Sequence, residues 1–205
     1  MDSPVRIRQD RRMSRWERPV VVAVCGSPGA GKTTVARATA RRLRVPFLTR
    51  DEIKVGLGLS SASVDPDGGV RLDPDFHIAG GPVSLRAETV MVDAARLFAS
   101  SGVSFVVESS VLSRTLLDAL LACEARVLAV HVVARESVIG ERLRARAAAG
   151  GAADRQLWSQ FQGGELRRSI FHPPSGADAV VDIDTSDDGE PDIEPIEAAV
   201  VALVR

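Results

Sequence analysis

A three-layer α/β fold built on a five-stranded parallel sheet is what the sequence predicts, and three observations predict it. From Pro19 onward, short apolar runs alternate with longer helical patterns, as in stacked strand-helix-strand units. The runs show little polar alternation, which suits strands covered by helices on both faces. A glycine-rich turn, Gly26 to Gly31, joins the first run directly to the first helical pattern, at the kind of strand end where open α/β sheets bind ligands.

The elements follow in order. The first strand is read at Val20 to Cys25 and the first helix at Lys32 to Leu43. The second strand, Val45 to Thr49, runs into Arg50-Asp51-Glu52-Ile53-Lys54, where Asp51 is placed to cap a helix beginning at Glu52. Gly56 to Gly81, rich in Gly, Pro, Ser and Asp, reads as a long substrate-side loop. A helix at Pro82 to Ser101, a strand at Val103 to Val107 and a helix at Ser113 to Cys123 come next. They are followed by a strand at Arg126 to Val133 and a helix at Glu136 to Ala149, several of these helices opening at Ser or Pro and closing near Gly. Gly150 to Gly176 is punctuated by Gly150-Gly151, Gly163-Gly164 and Pro173-Pro174 and reads as a lid. Both irregular stretches are expected as insertions over a sheet edge. A strand at Ala179 to Ile183 and a helix at Glu194 to Val204 come last. Residues 19–205 thus form one domain, preceded by a basic tail, 1–18, with Arg6, Arg8, Arg11, Arg12, Arg15 and Arg18, expected to be solvated and partly disordered.

The composition narrows the function classes. With 205 residues, 45% hydrophobic and 26% charged, the chain has material for a substantial core and is no disordered segment. A formal charge of −1 argues against broad binding to nucleic acid or anionic membrane, so any polyanion site must be local. Two cysteines, Cys25 and Cys123, are too few for a disulfide scaffold or a cysteine-rich zinc site. The apolar runs fall far short of the roughly 20 residues of a membrane span, and the tail has no apolar signal core. A cytoplasmic protein is expected.

Gly26-Ser27-Pro28-Gly29-Ala30-Gly31-Lys32-Thr33-Thr34 carries G-x-x-x-x-G-K-T between a strand and a helix, the context that gives this pattern its meaning. Glycines let the backbone wrap phosphate oxygens, and the N–H groups opening the helix add dipole and hydrogen bonds. Lys32 reaches the β- and γ-phosphates, and the Thr33 hydroxyl ligates magnesium. After the second strand, Asp51 is placed to orient an acceptor hydroxyl and take its proton, with Arg50 and Lys54 beside it as substrate contacts. After the third strand, Glu108 leads Ser109-Ser110 and is assigned a water of the magnesium shell or the substrate.

Arg142 and Arg146 stand four apart, on one helical face, suited to stacking on a base or forking onto phosphates. Arg155, Arg167 and Arg168 are further lid candidates. Asp73, Asp75 and His77 do not make a convincing zinc set. His131 and His172 default to structural roles. After the fifth strand, with its Asp182 and Asp184, Thr185-Ser186-Asp187 is placed to touch adenine through its backbone.

On these motifs the chain resembles the small P-loop kinases, in particular the group of zeta-toxin-like, polynucleotide-kinase-like and chloramphenicol-phosphotransferase-like proteins. The strongest match is Gly26 to Thr33. The next is Phe47 to Lys54, similar to the strand-two end where that group's aspartate activates an acceptor hydroxyl, with Lys54 matching a basic residue one turn on. Arg142 to Arg146 looks like the Arg-x-x-x-Arg face of nucleotide-kinase-like folds. Glu108-Ser109-Ser110 departs from the more usual aspartate-led sequence. The resemblance implies a nucleoside-monophosphate-kinase-like P-loop fold with strand order 2-3-1-4-5. It also implies ATP with Mg2+, and transfer of the γ-phosphoryl group to a hydroxyl of a nucleoside, sugar derivative or antibiotic. A 5′-hydroxyl polynucleotide kinase, whose basic channel only the arginine tail and lid would supply, and a nucleotide-gated binding module are the alternatives.

Overall fold

The computed structural model describes residues 18–64, 66–67, 69–71, 81–187 and 189–205. Most of the basic tail, together with Asp73, Asp75 and His77, lies outside them. Strands β1 (Val20–Cys25), β2 (Phe47–Thr49), β5 (Phe105–Glu108), β6 (Arg126–Val133) and β7 (Ala179–Asp184) form an all-parallel sheet in the order β2-β5-β1-β6-β7. Counted along the chain within that sheet, this is the expected 2-3-1-4-5. A short antiparallel hairpin pairs β3 (Ser63–Val64) with β4 (Val70–Arg71).

Strand β1 is central and wholly buried, and its side chains alternate between two cores because successive residues of a strand face opposite ways. Val21, Ala23 and Cys25 pack with α3 (Pro82–Ser100) and α4 (Arg114–Ala122). Val22 and Val24 pack with α1 (Lys32–Leu43) and α7 (Glu194–Val204). A third cluster, Ile139 and Leu143 of α5 (Glu136–Ala149) against Leu157, Trp158 and Phe161 of α6 (Ala152–Gln162), lies beside the sheet rather than in it.

Five differences from the sequence expectation have physical causes. Strand β2 starts at Phe47 because Arg44 adopts a left-handed turn and the Val45 N–H bonds Ala40 O, still serving the helix end. Strand β5 starts at Phe105 because the Val103 N–H bonds Phe98 O, and it extends to Glu108, in register with Thr49 and Val24. The long loop begins later than Gly56, since α2 (Arg50–Ser60) continues through Gly56 and Gly58. Gly150 to Gly176 contains α6 and a 3-10 turn at Arg168–Phe171, and its apolar residues seat α6 on α5. Strand β7 is an edge strand with Val180 exposed, so the burial expected on both faces does not hold there. Among the described residues no helix is long and apolar enough to cross a membrane.

Candidate functional site

The loop between β1 and α1 is held in a shape that L side chains resist. Gly26, Gly29 and Gly31 have φ of 144°, 84° and 86°, values that favour glycine. At Gly26 space also excludes a side chain, because a Cβ there would sit 2.2 Å from the backbone oxygen of Val132. Gly31 is the left-handed N-cap of α1, and the loop closes on itself through the Ala30 N–H to Ser27 O, 3.1 Å. Lys32 is buried and its Nζ donates to Ser27 O at 3.0 Å. Burial pushes the ammonium below the usual lysine range, while Glu108 and Asp51 pull it back up.

Facing Lys32, Glu108 ends β5 and is buried. Its Oε2 accepts from Thr49 Oγ1 at 2.8 Å and from Thr33 Oγ1 at 3.4 Å. Burial raises this carboxyl above the ordinary glutamate value; Lys32 and the two hydroxyl donors oppose the rise. Thr49 was not singled out in the sequence. Its only signal there is its place at a strand end, two residues before Asp51, and the strand register that brings it opposite Glu108 comes from the fold.

Thr49 also changes the reading of Asp51. It is the N-cap residue of α2, but its hydroxyl is turned to Glu108 and makes no cap bond. Asp51 is therefore the second residue of the helix, not its cap, and its side chain is exposed. It lines a cavity of about 440 Å³ with Arg50, Lys54, Glu108, Lys32 and Thr33. Lys54, one turn on, is partly buried, which lowers its ammonium pKa against the pull of Asp51.

A second cavity, about 700 Å³, also borders the phosphate loop, and Lys32, Thr33 and Arg146 line both. Arg142 and Arg146 stand on its wall, as their spacing on α5 requires, but they are engaged differently. Arg142 donates to Gly29 O at 3.3 Å, to Thr185 Oγ1 at 3.1 Å and to Thr185 O at 2.7 Å. Thr185 Oγ1 in turn donates to Ala30 O at 2.7 Å. The arginine thus ties the phosphate loop to the end of β7. Arg146 is more exposed and pairs with Asp154 of α6 at 2.8 Å, which joins the two helices beside the smaller cavity.

The remaining candidates are dispersed. Asp184 and Thr185 line the larger cavity with Asp187. Hydrogen bonds from the hydroxyl and N–H of Ser186 hold the Asp184 carboxyl below its usual range. Arg135, not expected from the sequence, fixes this turn by donating to Ser186 O at 3.0 Å and Asp187 Oδ1 at 3.3 Å. Arg155 donates to Gly150 O within its own segment, and Arg167 lines a separate 240 Å³ cavity with Ser27 and Pro28. His131 is buried with Nδ1 3.1 Å from Asp182 Oδ1, and its ring lies 4.5 Å from that of His172. Among the described residues no group of three or more His, Cys, Asp or Glu side chains is arranged to hold a metal.

The sequence profile of the AAA domain family matches residues 21–164, most of the chain and the whole phosphate loop. The chain belongs to this AAA domain family. The matched range takes in β1 through α6, while β7 and α7 complete the sheet beyond it. A segment of 34 residues is 59% identical to a cytidylate kinase of Pyrobaculum neutrophilum, covering 17% of this chain and 18% of that protein. Among solved structures, a candidate kinase from Chloroflexus aurantiacus aligns over 91% of this chain and 99% of its own at 22% identity, with a TM-score of 0.69. An APS kinase of Mycobacterium tuberculosis, crystallised with AMPPNP and APS, aligns over 91% and 98% at 16% identity, with a TM-score of 0.52. These likenesses establish for this AAA domain protein a P-loop kinase-like fold.

Proposed function

We propose that the protein is an ATP-dependent kinase that moves the γ-phosphoryl group of ATP to a hydroxyl of a small molecule, a nucleoside, sugar derivative or antibiotic. One observation carries this reading: two cavities that both border the phosphate loop share Lys32, Thr33 and Arg146. Two substrates that exchange a phosphoryl group need adjoining pockets with a common cationic wall, because the loose transition state is stabilised mainly by positioning and charge. The larger cavity would take the nucleotide, with phosphates on Gly26 to Thr34 and the base toward Asp184 to Asp187. The smaller would take the acceptor. Within the P-loop kinases the proposed kinship remains with the zeta-toxin-like, polynucleotide-kinase-like and chloramphenicol-phosphotransferase-like group. Cys25 is a free, buried thiol, its pKa pushed up to about 12 by burial; such thiols suit a reducing compartment, and we assign the enzyme to the cytoplasm.

Lys32 neutralises phosphate charge in this scheme, with Glu108 and Asp51 opposing the fall in its pKa that burial causes. Arg142 acts through the loop it braces, and Arg146 reaches the nucleotide or the transferring group. Asp51 orients the acceptor hydroxyl and receives its proton, a task an ordinary carboxylate can perform when proton removal is late. Thr33 and Glu108 fit Mg2+: a hydroxyl and a carboxylate 3.4 Å apart are the sparse oxygen set of an ion that keeps most of its waters and leans on substrate phosphates. Bound there, the ion would offset charge on the β- and γ-phosphate oxygens.

Asp51→Asn is the experiment that tests the assignment. Acceptor-dependent ADP release should fall on the order of 10²-fold, with ATP affinity unchanged because Asp51 lines only the acceptor cavity. Equal turnover in the variant would remove the proposed base.

Glu108 should govern the acid side of the pH profile. Its carboxyl is raised above 4.5 by burial, so it takes up its proton at a higher pH than an exposed glutamate. Mg2+-dependent nucleotide binding should therefore weaken as pH falls through that raised value. Glu108→Gln should flatten this limb and weaken the Mg2+ requirement's apparent affinity by about 10-fold or more. Folding stability runs the opposite way, because the native state keeps a proton the unfolded chain has lost, so stability falls as pH rises through the same window. A limb with the midpoint of an ordinary carboxylate would contradict the buried, ionised role.

A further inference from the structure

One guanidinium in the acceptor cavity has donors to spare. Arg50 opens α2 and lines that cavity beside Asp51, with Lys54 one turn on. Its Nε is buried and makes no hydrogen bond among the described residues. The facing acid is Glu88 of α3, whose Oε2 stands 4.0 Å from Arg50 Nη1, within ion-pair range but beyond hydrogen-bond reach. That Oε2 is likewise buried without a hydrogen bond among the described residues. Glu88 cannot easily turn to close the gap, because its Oε1 accepts from Ser113 Oγ at 2.5 Å, and Ser113 is itself pinned as the N-cap of α4. Both side chains are only about a quarter exposed, 27% for Arg50 and 22% for Glu88. Buried polar groups are normally satisfied, and leaving a charged donor unmet is costly. A guanidinium held at arm's length by a fixed carboxylate, at the wall of a 440 Å³ cavity, is a preformed anion fork.

We propose that the acceptor carries an anionic group, carboxylate or phosphate, and that Arg50 forks onto it from a position set by Glu88. This rests on the phosphotransferase assignment above and narrows it from any hydroxylated small molecule to an anionic one. Planar guanidinium binds either oxyanion with two parallel hydrogen bonds. Because Arg50 and Asp51 are adjacent, the same molecule can present its anion to one and its hydroxyl to the other. Glu88 is a positioning residue. Its charge also limits the affinity of the fork, which suits an acceptor that must leave after transfer.

Inorganic phosphate and acetate are the probes, titrated calorimetrically into the full chain with Mg2+ and AMPPNP present so that the phosphate loop is already filled. Wild-type protein should bind one of the two anions, and the preferred one tells a phosphorylated acceptor from a carboxylate. Arg50→Gln should weaken that binding roughly tenfold or more and Arg50→Lys less, since it keeps charge but loses the fork. AMPPNP affinity should be the same in all three. Glu88→Gln should tighten anion binding by removing the opposing charge, a gain that a merely structural role would not give. Absence of anion binding, or binding indifferent to Arg50→Gln, overturns the proposal. So does a parallel loss of AMPPNP affinity in Arg50→Gln. If wild-type protein fails to bind AMPPNP, the phosphotransferase assignment falls separately. The same titrations in the Lys32→Met background then decide whether an Arg50-dependent anion site exists.

Discussion

Lys32→Met should lower phosphoryl transfer on the order of 10²–10³-fold, the scale for removing one preorganised charge-stabilising donor from a closed site. Lys32 is the buried cation common to both cavities; Arg146, which also lines both, is held by Asp154 of α6 and does not substitute for it between donor and acceptor. Methionine fills much of the same buried volume, and among the described residues the hydrogen bond lost is the one to Ser27 O; the fold should survive, as a thermal melt would verify. A second readout makes the test sharper. Lys32 is the largest influence holding the Glu108 carboxyl down against burial. In Lys32→Met the acid limb of Mg2+-dependent nucleotide binding should accordingly move to higher pH. Loss of turnover with an unmoved limb would mean that the ammonium does not face Glu108 in the working enzyme.

Gly26→Ala should damage the protein itself. A Cβ at this position would lie 2.2 Å from Val132 O and 3.2 Å from Val132 C, far inside contact distance. Val132 cannot retreat, because β6 is paired on one side with β1 and on the other with β7. The φ of 144° adds backbone strain for any L residue. Overpacking against immovable backbone and an unfavourable φ together should cost about 3 kcal/mol. In a protein of this size that is a fall of roughly 6–12 °C in Tm. Nucleotide binding should be lost with it, since the loop can relieve the clash only by leaving the strand end. A variant with wild-type Tm and ATP affinity would show that the loop opens elsewhere than at Gly26.

Much of this was legible in the chain because the signals are local. The strand-loop-helix around Gly26 to Lys32 announces itself, since glycine at positive φ is a requirement of the backbone and a lysine at a helix start, against the helix dipole, is spaced for phosphate. Runs such as Val20–Cys25 and Arg126–Val133 are long and apolar enough to be read to their ends. What was hidden depends on distant partners. Thr49 and Glu108 meet only through the register of β2 on β5, 59 residues apart in sequence. Arg142 reads as a ligand contact from its spacing, yet in the fold its hydrogen bonds go to Gly29 and Thr185. Helix α6 was obscured by Gly150-Gly151 and Gly163-Gly164, which punctuate its ends, and by a face whose apolar residues find their partners only on α5. Arg50 and Glu88 lie on α2 and α3, beyond any spacing rule.

The most direct measurement is phosphorus NMR of the purified protein with Mg2+ and ATP, supplied in turn with neutral, carboxylated and phosphorylated hydroxyl compounds. A phosphotransferase gives a new phosphomonoester signal that grows with ADP, only with an accepted compound, disappears in Lys32→Met and is strongly reduced in Asp51→Asn. ATP that binds yet yields neither phosphoester nor ADP, or yields only inorganic phosphate at a rate indifferent to acceptor and to Asp51, would contradict a phosphotransferase and leave a nucleotide-gated binding protein in its place.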